Sequence, residues 1–490
     1  GSNDASYRGS NQIPTPNLDA LGFNGIIFDR FYTAHICSPS RASAMTGMYA
    51  HHLGLQAASI PGNEAWGVDL NQKLMSNFFQ DDGYKTHLVG KWHLGFFQQK
   101  YTPIYRGFDS HFGYYNGWID YYNYTHDSEL KQGYVGYDFH KDGEIYKDME
   151  PEKYATDLFN DEAVRIIEDH NKKKPLFLTV EYNAPHIGNY LMEAPQSVID
   201  KFKYISDPNR QKYAAMVTKL DDSIGNVFTA LASKDMLKNT IVLVYVDNGA
   251  GTQGAQGNFG SNYPLRGQRS LPWEGATRNV GLMYSPFIKQ KQRVFKGYFH
   301  TSDILPTLAG AAGIPVENLD GFNFWPSLMN GGESPRTEVI TVLDNVNKIT
   351  ALIKGSWKLV NGTGLNGAYD GYLGDIQKFK LSDRAYASKI LSSKVEKAIN
   401  TIQPRSQRLT IAKINELRRE AIINCNDDEN ENIPCNPKVE KCLYNIQMDP
   451  CERMNLAGVY KNKLAELVNR MTFLLGNDVV PSRRNSSDDP

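Results

Sequence analysis

The chain has 490 residues with 53 Lys plus Arg against 54 Asp plus Glu, and this near-neutral balance offers no field for nucleic acid or an anionic membrane surface. Hydrophobic residues make up 41 %, enough over this length for a large core and two domains. No apolar run reaches the length of a membrane span.

The first residues include neither an initiator Met nor a leader-like apolar run, which implies a processed chain, an excerpt or a truncated reading. Gly25–Phe31 then reads as an apolar, β-rich strand. It is followed by Cys37-Ser38-Pro39-Ser40-Arg41 and Thr46-Gly47, which set a thiol, a proline, a hydroxyl and a cation on the first turn of an expected helix. Pro39 suits a first helical position, where a missing N–H costs nothing. The free N–H groups of that turn, with Arg41 beside them, make an anion site. A nucleophile at such a site points to chemistry on a negatively charged group; the plain alternative is a buried structural cysteine.

Leu74–Gln80 reads as a helix and Thr86–Val89 as a strand, with Lys91 and His93 just beyond it. The aromatic run Trp118–Tyr124 either borders a pocket or packs as an ordinary loop, and packing is the favoured reading. Asp157–Asn171 is helical, and the strand Leu176–Tyr182 leads to His186. The helix Lys212–Ala232 precedes the strand Thr240–Val246, which ends at Asp247-Asn248-Gly249. That tripeptide is either turn chemistry or a pair of hard oxygen ligands for a divalent cation. A strand over Val280–Tyr284 and a helix over Ser302–Ala312 complete the alternation. Apolar strands without in–out alternation suggest a sheet covered on both faces, and strand–helix alternation suggests a doubly wound α/β domain. In such a domain sites gather at the carboxyl ends of strands, where His186 and Asp247 stand.

The loop composition of Gly331–Pro335 marks a boundary near 335–345, giving a catalytic unit over 1–340 and a smaller α+β unit over 341–490. Lys389–Asn424 has a helical pattern broken near Pro404. The acidic run Asp427–Asn432 lacks the glycine and ligand order of an EF-hand and reads as a solvated loop. Cys37 stands alone, whereas Cys425, Cys435, Cys442 and Cys451 cluster. Those four allow three disulfide connectivities, of which the neighbour pairing Cys425–Cys435 with Cys442–Cys451 is favoured. Zinc is the alternative, although the short Cys spacings of zinc sites are missing. Sequons at Asn123, Asn361 and Asn485 fit a secretory route, which suits disulfides.

The run from Cys37 to Arg41 with Thr46-Gly47 resembles the sulfatase signature, with Met45 where that family usually has Leu. A second signature resembles Gly83-Tyr84-Lys85-Thr86 with Gly90-Lys91-Trp92-His93-Leu94-Gly95. Similarity continues through Pro14–Leu21, Ala184-Pro185-His186, Val246–Gly249, Pro264–Gly267, Trp273-Glu274-Gly275, Gly355–Leu359 and Asp449–Leu456. Within the family the chain looks most like the arylsulfatase B (N-acetylgalactosamine-4-sulfatase) branch and its insect-type relatives.

The resemblance implies an alkaline-phosphatase-like fold: a mixed, mostly parallel sheet flanked by helices, with a smaller C-terminal α+β domain. It implies that a formylglycine-generating enzyme, reading Cys37, Pro39 and Arg41, oxidises Cys37 to formylglycine. By the same resemblance Arg41 and Lys91 hold the aldehyde hydrate and the sulfate oxygens, and His93 orients or deprotonates the hydrate. His186 binds sulfate or protonates the leaving oxygen. Asp247, Asn248 and the modified Cys37 ligate one calcium ion (Ca2+). Arg269 stands where close relatives carry a substrate-contacting Lys, so the charge is kept while shape and acidity change. Gly1-Ser2-Asn3-Asp4 matches a Gly-x-Asn-Asp segment that in relatives follows an Asp-Asp metal pair, so that pair and the first strand are expected upstream. Nothing in the sequence supports Asp4 as a substitute. The expected function is hydrolysis of a sulfated sugar or aryl sulfate in the lysosome or outside the cell, with no nucleic-acid partner and no membrane span. A sulfatase-like pseudoenzyme that binds sulfated glycans is the alternative. Phosphoester hydrolysis is a third reading, which Cys37 argues against.

Overall fold

The computed structural model describes residues 1–127, 134–148, 153–190, 192–254, 257–374, 379–425 and 432–482. In chain order, strands β1 (Ile26–Tyr32), β2 (Lys85–Lys91), β3 (Ser110–Tyr114), β4 (Leu176–Glu181), β5 (Val242–Tyr245), β6 (Gly281–Tyr284) and β7 (Arg293–His300) alternate with helices. The helices are α1 (Pro16–Asn24), α2 (Cys37–Thr46), α3 (Met75–Asp81), α4 (Ala155–Asp169), α5 (Pro208–Ser233) and α6 (Ile304–Ala312). Every strand and helix expected from the sequence up to residue 312 is present, with its ends shifted by a few residues.

The long ladders are parallel: β1 with β7, and β2 with both β3 and β4. The antiparallel ladders β1–β6 and β6–β5 are shorter. Burial on both faces follows from the sequence of β1. Ile27 packs with Leu21, Phe23, Phe228 and Leu282 on one side, while Phe28 and Phe31 pack with Phe295 and Phe299 on the other. Adjacent residues of a strand point to opposite faces, so an apolar pair at 27 and 28 demands cover on both.

A second, antiparallel sheet follows in the order β8 (Glu338–Asp344), β9 (Ile349–Lys354), β10 (Trp357–Asn361) and β11 (Cys442–Asn445). Between β10 and β11 lie α7 (Asp383–Leu391), α8 (Lys394–Ile399) and α9 (Ile411–Ala421), and α10 (Lys461–Asn477) follows β11. Tyr386, Ile390, Ile399 and Leu417 of α7–α9 join the core that covers Ile27. Among the described residues no helix is long and apolar enough to cross a membrane.

The disulfide expectation is corrected. Cys435 pairs with Cys442 and Cys425 with Cys451, with Cα separations of 5.9 and 5.8 Å. After β11 the chain doubles back, and Met454 bridges to Ile433, so the outer two cysteines meet around the inner pair. With all four cysteines bonded, the zinc reading falls. Pro39 also differs in detail: α2 begins at Cys37, which puts Pro39 third, still within the turn whose N–H groups lack helical partners. Asn123 is exposed and Asn361 ends β10, whereas the Asn485 sequon and most of the acidic run lie outside the described residues.

Candidate active site

The site forms where α2 begins and where β2, β4 and β5 end. Ile36 is extended and Cys37 opens the helix, so the thiol stands at the exit from the sheet. Its first turn is pinned by Ser38, whose hydroxyl donates to the His93 carbonyl (2.9 Å) and accepts from the Ile60 N–H (3.1 Å). Gly47 closes α2 at φ 71°, and its N–H caps the Ser43 carbonyl. Cys37 is buried, unpaired by any disulfide, and its Sγ lies 3.2 Å from Asn248 Oδ1. Asn248 and Asp247 follow β5 directly.

Arg41 lies one helical turn beyond Cys37, on the same face. Its Nε donates to Asp247 Oδ2 (3.0 Å) and its second nitrogen pairs with Glu181 at 3.0 Å. Burial opposes the charge on Arg41, but Glu181 and Asp247 more than offset that and push its pKa up. Lys91, the last residue of β2, is 4 % exposed and sits 3.9 Å from Asp247. Burial pulls its pKa down, with Cys37 and Asp247 working against that pull. Burial raises the Asp247 carboxyl, yet Arg41 and Lys91 prevail and hold it below its ordinary value.

The two histidines differ in what their rings offer. His93 adopts a positive φ of 56°, which a non-glycine side chain tolerates only when its surroundings fix it. Its Nε2 is 3.0 Å from the Ile60 carbonyl, so that nitrogen carries the proton, and Nδ1 is buried with no hydrogen-bond partner among the described residues. Burial, reinforced by Lys91 and Arg41, holds its pKa well below 6.5. His186 donates from Nδ1 to the Ile187 carbonyl (2.7 Å) and accepts at Nε2 from Arg269 (2.8 Å). Burial, then Arg269 and Lys91, lower its pKa to about 3, so the ring is neutral.

The structure thus links the expected residues into two neighbouring sets, Cys37–Asn248 with Arg41–Asp247–Lys91, and His186–Arg269. Two participants escaped the sequence reading. Glu181 is the last residue of an apolar strand, and a carboxylate at a strand's carboxyl end was the available signal. Trp118, read as ordinary packing, lies with its ring parallel to that of His186. Asp4 is not in the site: it is buried against Arg210 (2.7 Å) and accepts the Tyr213 hydroxyl (2.8 Å).

Asp247 Oδ2 is shared by Arg41 and Lys91, and among the described residues no group of three His, Cys, Asp or Glu can hold a cation. A calcium ion takes about six to eight oxygens, so the described residues do not make up a calcium site on their own.

The sulfatase family model matches residues 1–314. Arylsulfatase J of Mus musculus is 33 % identical over 100 % of this chain and 76 % of its own length. N-acetylgalactosamine-6-sulfatase of Homo sapiens is 28 % identical over 68 % of this chain and 64 % of its own. Arylsulfatase A of Homo sapiens is 27 % identical over 73 % and 72 %. Such relatives are sulfuric ester hydrolases. Among solved structures, Ps i-CgsB in complex with k-i-k-neocarrahexaose superposes with a TM-score of 0.74 at 24 % identity, covering 99 % of this chain and 92 % of that one. That likeness agrees with the mixed sheets flanked by helices and the separate C-terminal sheet. On the family match and the arylsulfatase J similarity, the chain belongs to the sulfatase family.

Proposed function

We propose that this protein hydrolyses sulfate monoesters of sugars or aryl groups at Cys37, after conversion of that residue to formylglycine. The observation that carries the proposal is the convergence of buried cations on the Cys37 side chain. Arg41 and Lys91 share Asp247, Arg41 also pairs with Glu181, and Arg269 donates to His186 beside them. Fixed cations in a water-poor pocket stabilise an oxyanion far better than they would in water.

Formylglycine at position 37, once its aldehyde has added water to give the hydrate, would supply the attacking hydroxyl. His93 takes its proton, because Nδ1 presents a bare lone pair while Nε2–H is held by Ile60. Arg41 and Lys91 hold the hydroxyl-bearing side chain and the sulfate oxygens. His186 is a neutral acceptor in this arrangement, and its part is to hold Arg269 on the sulfate and leaving-oxygen side. Asp247 and Asn248 are the oxygen ligands this chain offers a divalent metal, with calcium the best match to their hardness.

The arylsulfatase B likeness and the similarity to N-acetylgalactosamine-6-sulfatase favour a sulfated hexosamine. Two disulfides and the exposed Asn123 sequon suit maturation along the secretory route, to a lysosomal or extracellular destination, where the formylglycine-generating enzyme is met. A catalytic unit over 1–340 and a C-terminal unit over 341–490 is the division we assign. The test is mass spectrometry of the Cys37 peptide from protein matured in secretory cells, alongside turnover of sulfate and phosphate esters. An aldehyde at Cys37 with sulfate-selective turnover, both lost in Cys37→Ala, is expected. An unmodified thiol, or a preference for phosphate esters, contradicts the proposal.

A further inference from the structure

Trp118 and Tyr121 belong to a loop that the proposed chemistry does not use. Trp118 is 8 % exposed, too buried to offer its face to a sugar ring. That face is already taken: the indole and the His186 imidazole are parallel to within 4°, with centroids 5.8 Å apart. This is offset-stacked geometry. The indole itself is fixed, because its N–H donates to Asn189 Oδ1 (3.0 Å). Asn189 is held in turn by Asp120, which accepts from its backbone N–H (2.7 Å) and its side-chain amide (2.8 Å). Tyr121 is fully buried, and its hydroxyl donates to the carbonyl of His186 at 2.8 Å. Ring plane and backbone of His186 are therefore each held by a separate residue of one loop.

We propose that Trp118 and Tyr121 are positioning residues for His186, the indole setting the plane of the imidazole and the phenol setting its backbone, so that Arg269 is presented to the substrate anion. The proposal rests on the assignment of His186 and Arg269 to the sulfate ester made above. Misplacing a reacting group by about 1 Å costs on the order of a hundredfold in rate, so a strut without substrate contact is visible in turnover.

The test compares Trp118→Ala, Trp118→Phe and Tyr121→Phe with the wild type by kcat, KM and Tm on an aryl sulfate. The His186 ring is followed in parallel by nitrogen-15 NMR of histidine-labelled protein, assigned with His186→Gln. Trp118→Ala is expected to lower kcat by roughly ten- to a hundredfold with KM little changed, and Trp118→Phe, which keeps an aromatic face, to recover most of it. Tyr121→Phe is expected to give a smaller loss of kcat. The His186 Nδ1–H signal should broaden or shift in Trp118→Ala and stay close to wild type in Trp118→Phe. If Trp118→Ala fails to fold, the two Phe variants carry the comparison. A raised KM at unchanged kcat would mean that Trp118 binds substrate, and would overturn the proposal. Should the wild type show no sulfate-ester turnover, the functional reading fails, while the NMR comparison still decides the positioning: unaltered His186 signals in Trp118→Ala and Tyr121→Phe overturn it.

Discussion

Two clusters of buried charge stand beside β1, one against the C-terminal sheet and one around Cys37, and they are built to different rules. In the first, Lys358 on β10 is completely buried and bonds Glu274 (2.9 Å) and Glu452 (2.8 Å). Glu274 accepts the Tyr32 hydroxyl at 2.8 Å, and Arg278 and Arg8 both pair with Asp29. Three cations meet three carboxylates, across the contact between the large sheet and the C-terminal sheet. In the second, around Cys37, Arg41 and Lys91 meet Asp247 and Glu181, and His93 keeps an Nδ1 with no partner among the described residues. The balanced cluster joins two parts of the fold and leaves nothing for a ligand. The one around Cys37 sets a buried thiol and a bare imidazole nitrogen beside its cations, groups that a purely structural ion-pair cluster does not need and that a sulfate ester can meet. Burying polar groups without partners is costly, so a site of this kind persists only where the rest of the fold holds it in place.

The largest effects should separate the clusters cleanly. Lys91→Met should lower kcat on an aryl sulfate by about 10²–10³-fold, the usual consequence of removing one fixed donor from a developing oxyanion, while Tm stays level or rises. Lys358→Met should do the reverse. It leaves two buried carboxylates without their cation and should cost about 3–5 kcal/mol in denaturant unfolding, with turnover per folded molecule unchanged. Loss of turnover in the second variant at full stability would break the distinction.

Titration sharpens it further. Burial raises Glu452 to about 7, against an ordinary 4.5, with Lys358 opposing and Glu274 adding to the rise. The native state therefore binds the extra proton. The stability this supplies is complete below pH 4.5 and is lost as pH rises through about 7. Glu452→Gln should flatten that alkaline decline, which is worth roughly 3 kcal/mol at most. The site histidines run the other way. His93 and His186 are held below 6.5, so their neutral forms favour the folded state above pH 6.5, and that contribution is lost as pH falls toward the about 3 of His186. The acid limb of kcat/KM should accordingly lie well below pH 6.5, and a limb at that value would contradict the assignment of His93 as base. The smallest effect concerns the metal. With Asp247 the one carboxylate next to Asn248 among the described residues, and shared by two cations, the 490-residue chain should bind calcium only weakly, with Kd above about 10⁻⁴ M by calorimetry.

Much of this was legible in the sequence where the information is local. The spacing from Cys37 to Arg41 fixes one helix face, and His186 and Asp247 announce themselves by following apolar strands. What was missed depends on pairings between distant segments. Glu181 acquires its role only because β4 ends beside α2. Trp118 reaches His186 across a loop, with no periodicity to mark it. The disulfide connectivity turned on the return of the chain after β11, which brings Met454 to Ile433. Nearest-neighbour spacing along the chain carries no trace of that return.

The most direct test of the central claim is the turnover of an aryl sulfate per folded molecule by Lys91→Met beside Lys358→Met, each matured with the formylglycine-generating enzyme. Near-complete loss in the first at wild-type Tm, and wild-type turnover in the second at lowered stability, is the result that a cationic sulfate site around Cys37 predicts. Equal losses in the two, or full activity in Lys91→Met, would contradict it.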